Sequence, residues 1–71
     1  MVKAITTEIF RGEVLSSSVS APYSFDEAQA ILNNQYKARR KHNGAKVAKS
    51  NRVLTAHYPS GFIITVQLVH A

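Results

Sequence analysis

The chain has 71 residues, 45% of them apolar and 18% charged, with nine Lys plus Arg against four Asp plus Glu. That length suits one small domain spanning 1–71 and excludes a second. The complete lack of cysteine excludes a disulfide framework, a thiolate metal site and a thiol nucleophile, and it points to a reducing compartment, the cytoplasm. No stretch approaches the roughly 20 apolar residues that a bilayer demands, and the opening MVKAITTEIF lacks the pattern of a signal peptide, so a soluble, unprocessed protein is expected.

In chain order, Val2 to Phe10 reads as a strand, because Ile5, Thr6, Thr7, Ile9 and Phe10 are β-branched or aromatic and Glu8 marks a wet face. Arg11-Gly12 turns it back. Glu13-Val14-Leu15 then opens a second strand, which Ser16, Ser17, Ser18 and Ser20 weaken into an edge strand or a loop before Ala21-Pro22. Ser24-Phe25-Asp26-Glu27 matches a capping box, so a helix starts here, with two acids where the helix dipole is positive. Phe25, Ala28, Leu32 and Tyr36 recur at three- and four-residue steps as one apolar stripe, with Ile31 at its edge. Asn43-Gly44 is a stop signal, which sets the helix at about 24 to 43.

Ala45 to Asn51 alternates small and basic residues and reads as a loop or a ragged strand start. Arg52 to Tyr58, the turn Pro59-Ser60-Gly61, and Phe62 to Val69 form a hairpin. A three-residue loop sets Tyr58 against Phe62, Ala56 against Ile64, Leu54 against Val66 and Arg52 against Leu68, giving one face that packs on the helix stripe. The other face, with Val53, Thr55, His57, Ile63, Thr65, Gln67 and Val69, is mixed. The elements add up to an α+β two-layer domain: an antiparallel sheet, ββαββ, or βαββ if the second strand fails, with one helix on one face. One helix cannot cover both faces, so Val53, Ile63 and Val69 mark a candidate homodimer face.

All four acids, Glu8, Glu13, Asp26 and Glu27, lie in the first 27 positions, and the remaining 44 residues hold seven cations and no acid. Those seven, Lys37, Arg39, Arg40, Lys41, Lys46, Lys49 and Arg52, fall within sixteen residues. Such a block repels itself and favours a polyanion nearby. The helix dipole accounts for the cations of the last helical turn but not for those of the loop that follows. On a helical wheel Lys37, Arg40 and Lys41 share one flank, while Arg39 takes the bearing of the apolar stripe, where it either overhangs the sheet or lays its methylenes on the core.

Tyr36 and Tyr58 are candidate stacking residues beside this block. His42, His57 and His70 lack metal-ligand spacing, the acids do not form a general acid/base pair, and no nucleophile elbow, glycine-rich phosphate loop or paired-cysteine finger is present; no cofactor, metal or catalytic residue is assigned. His57-Tyr58-Pro59-Ser60-Gly61-Phe62-Ile63-Ile64-Thr65-Val66 resembles the hairpin of small toxin ribonucleases of the HicA type. In that family a Gly-Ser-His with a catalytic His precedes the turn, where this chain has Asn51-Arg52-Val53. The resemblance therefore implies an RNA-binding-like topology without the activity. The expectation is a non-enzymatic module binding DNA or RNA through phosphates. The alternative is a protein-interaction or inhibitor module that docks an acidic partner or adds a strand at a sheet edge.

Overall fold

The computed structural model describes residues 1–42 and 44–71. Its elements run β1 (Val2–Phe10), β2 (Glu13–Val19), α1 (Phe25–Arg40), β3 (Lys46–Lys49), β4 (Val53–His57) and β5 (Phe62–His70). The strands form one antiparallel sheet in the order β2-β1-β5-β4-β3. The helix carries the chain from one edge of the sheet to the other. This is the expected two-layer α+β arrangement with one strand more, ββαβββ.

β1 turns into β2 through Arg11 and Gly12, both left-handed at φ 50° and 82°, the pair of conformations that a tight two-residue hairpin requires. The serine run does not stop β2, which continues to Val19 as an edge strand with a bulge opposite Glu8. Beyond it the Ser20 N–H donates to the Ala4 carbonyl, and the Ala4 N–H donates to Ser20 Oγ at 2.8 Å. Tyr23 and Val2 then exchange both backbone bonds. Pro22, which has no N–H to offer, sits between these anchors.

Ser24 caps α1 as expected: its hydroxyl accepts from the Glu27 N–H, and the Glu27 carboxylate returns to the Ser24 N–H. The helix ends earlier than the expected residue 43. Lys41 is the C-cap, and the Lys41 and His42 N–H groups tighten onto Ala38 and Arg39 carbonyls three residues back. Asn43 of the expected stop signal lies outside the described residues. Gly44 is left-handed at φ 77°, and a Cβ there would stand 2.7 Å from Pro59 Cγ, so its smallness seats the β4–β5 turn.

The segment expected as a loop or a ragged strand start contains β3. Ser50 creates it: its N–H donates to the Val53 carbonyl, while its hydroxyl accepts from the Arg52 and Val53 N–H groups. This folds Lys46–Lys49 back onto Leu54–His57. Side-chain propensity does not predict a Lys-Val-Ala-Lys strand, and pairing with a neighbour overrides it. The β4–β5 hairpin has the expected register, with Leu54 opposite Val66 and Ala56 opposite Ile64. Its ends close through Tyr58 N–H to the Phe62 carbonyl and Leu68 N–H to the Arg52 carbonyl.

The core follows the oblique line where the helix crosses the sheet. Val2 and Ala4 of β1, Leu68, Val66 and Ile64 of β5, and Leu54 and Ala56 of β4 lie buried beneath Ala28 and Leu32. Of the other stripe residues, Tyr36 packs at the margin, and Phe25 stays 44% exposed at the helix start. Leu32 and Leu54 are the largest fully buried side chains. Leu54→Ala is expected to cost about 3 kcal/mol, and Ser24→Ala about 1 kcal/mol; urea titration followed by circular dichroism measures both.

Candidate nucleic-acid interface

The helix presents Lys37, Arg40 and Lys41 on the flank away from its apolar stripe. Gln29 fixes that orientation by donating from Nε2 to the Asn51 carbonyl in the β3–β4 turn, and Gln29, Lys37 and Arg40 share a flank. Lys37, Arg40 and Lys41 line one open groove. Arg40 lies over the Tyr36 ring at 5.2 Å, which holds its guanidinium at the surface with donors free for an anion.

Of the three cations after the helix, Lys46 and Lys49 sit on a strand edge. Lys46 pairs with His57 and projects to the sheet face away from the helix, whereas Lys49 pairs with Leu54 and projects to the helix side. Arg52 occupies the β3–β4 turn, its guanidinium 6.0 Å from the Phe25 ring centroid. Of these six exposed cations, five lie on the helix side of the α1–β3 border, from the C-terminal turn of α1 past Lys49 to the turn beside the start of α1, and Lys46 lies on the opposite sheet face. The border is about 20 Å long at 1.5 Å per helical residue. The four acids lie on β1, β2 and the first helical turn.

Arg39 stands apart. It is half-buried, its Nε donates to Gln35 Oε1 at 2.9 Å, and its Nη1 donates to the Tyr58 hydroxyl at 2.9 Å. Of the two sequence expectations, the chain takes the one in which Arg39 lies along the core margin. The Tyr58 hydroxyl also meets His42 Nδ1 at 3.2 Å, and its ring packs against Phe62 at 6.0 Å between centroids and against His42 at 5.6 Å. Arg39 thus positions the hairpin against the helix end.

The same contacts engage both candidate stacking residues. The Tyr36 face carries Arg40, and Tyr58 is held by Arg39, His42 and Phe62. Charge counting could not reveal this; the signal was the placement of Arg39 on the apolar bearing, which calls for a polar partner across the helix end. Among the described residues, no three His, Asp or Glu side chains come together in a group able to hold a metal ion, and no helix is long and apolar enough to cross a membrane.

No protein family, curated protein or solved structure matches the chain. The likeness to toxin ribonucleases stands on the hairpin residues alone.

Tyr58→Phe removes the hydroxyl that Arg39 and His42 share. A loss of about 1 kcal/mol, with faster amide hydrogen exchange in the last turn of α1 than in β1, is the expected outcome. Exchange monitored by nuclear magnetic resonance reads it directly.

Proposed function

We propose that the protein is a non-enzymatic nucleic-acid-binding module that grips the phosphates of a duplex along the α1–β3 border. The observation that supports this reading is the placement of Lys37, Arg40, Lys41, Lys49 and Arg52 on the helix side of the α1–β3 border, with Lys46 across the sheet edge and Asp26 and Glu27 in the first helical turn at its Arg52 end. A 20 Å row covers the axial rise of about six base pairs. The arginines supply bidentate contacts to phosphate and the lysines supply point charges. Because Tyr36 and Tyr58 already pack against other side chains, the site favours backbone contact over stacking of unpaired bases, and sequence preference is small. The lack of cysteine agrees with a cytoplasmic setting.

Fluorescence anisotropy with a labelled duplex tests the proposal. With about four phosphates neutralised, affinity falls about 100-fold between 50 and 200 mM salt. The double substitution Arg40→Ala and Lys41→Ala lowers affinity on every sequence alike and reduces the salt slope by about 2. Lys3→Ala with Arg11→Ala, two cations outside the border, leaves binding unchanged.

One observation favours a second reading, a protein-interaction module that takes a strand from its partner. All of β2 is exposed, with Val14 64%, Leu15 55% and Val19 60% accessible, and an unpaired, nearly uncharged edge is a template for strand addition. Binding of that kind is insensitive to salt and lost on Leu15→Asp.

A further inference from the structure

The sheet face turned away from α1 is uncovered, and its side chains form rows set by the strand register. Thr7, Thr65 and Thr55 lie side by side across β1, β5 and β4 at its centre. On one side of this row Ile9 adjoins Ile63, Val14 extends the row onto β2, and His57 followed by Lys46 extends it onto β4 and β3. On the other side Val19, Ile5, Gln67 and Val53 follow one another across four strands. No acid points to this face, and its only Lys residues, Lys3 and Lys46, stand on its rim.

We infer that this face is the interface of a homodimer in which a second copy packs sheet against sheet. Four features single out a second copy as the occupant. The first is chemical self-complementarity: a threonine hydroxyl both donates and accepts, so a threonine row can bond to its own image. A two-fold axis along that row lays each isoleucine row on the partner's valine-bearing row, the isologous arrangement that cyclic dimers use. The second is charge: the centre of the face is neutral, which gives an acidic or basic partner nothing to pair with. The third is area. The molecule measures 34 × 24 × 15 Å, so the outline of its broad side is an upper bound of the order of the roughly 800 Å² per partner that a stable interface buries. The fourth is the thinness of the core, in which three of the nine buried residues are alanines and only one side of the sheet contributes. Small domains of this kind gain stability by association.

The packing does not rest on the phosphate-binding reading, and the two share only Lys46, on the rim of the face. It leaves both helices outside, so a dimer presents two cationic borders.

Sedimentation equilibrium at physiological salt and about 50 μM chain, well above a micromolar dissociation constant, gives twice the 7.8 kDa chain mass if the inference holds. Thr65→Arg puts a charge at the centre of the face and Val53→Lys puts one nearer its rim. Each weakens the dimer by at least about tenfold, with the circular dichroism spectrum of a folded chain. A mixture of two isotope-labelled populations supplies a readout that needs no variant: intermolecular Overhauser effects between threonine methyls of different copies. Three results overturn the inference: a single-chain mass for the unaltered protein, absence of those intermolecular effects, or a dimer that withstands both face substitutions but dissociates on Leu15→Asp, which would locate the contact at the β2 edge.

Discussion

The structure depends on the packing of a single 16-residue helix across a five-stranded sheet. The hydrophobic contact of Ala28 and Leu32 with Leu54, Val66 and Leu68 is the apolar burial that joins the two layers. The capping box that starts the helix at Ser24 sets where that contact begins. Because the helix is narrower than the sheet, burial is confined to an oblique band, and β2 receives none of it. Because the helix lies on one side only, the other face of the sheet keeps apolar side chains without a covering layer. The two surfaces open to partners, a neutral face and a charged border, both follow from that one packing event.

The cations on the border are compatible with the fold for separate local reasons. Those in the last turn of α1 lie where the helix dipole is negative and its terminal carbonyls need donors. Lys46 and Lys49 protect the β3 edge from pairing with another strand, while Arg52 shields Phe25. None of these reasons requires that all of them lie within one short stretch without an acid among them. The β2 edge shows that the fold tolerates an edge with little charge, so the charge at β3 exceeds what protection of the sheet demands. That excess supports the reading of the border as an anion-binding surface.

Much of the architecture could be read from local signals whose physical meaning is unambiguous. The capping box gave the helix start, and Pro59 with Gly61 gave the register of the β4–β5 hairpin to the residue. Elements that depend on pairing were harder to read. β3 consists of Lys, Val, Ala and Lys and exists because Ser50 reverses the chain and β4 offers a free edge. The helix ends at Arg40, earlier than Gly44 as a cap implies, and the conformation and lack of a side chain at Gly44 serve contact with Pro59. For the candidate interface, the sequence located the cations but not their roles. Arg39 differs from its neighbours only through its bearing on the helix, and its bond to Tyr58 spans 19 positions of sequence.

A resonance-by-resonance titration of the labelled protein with a short duplex at low salt tests whether the α1–β3 border receives a nucleic-acid backbone. Shifts concentrated in the amides of Lys37 to Arg52, reversed on addition of salt, are the predicted result. Shifts centred on β1 and β2, or a spectrum that does not change at saturating duplex, would contradict it.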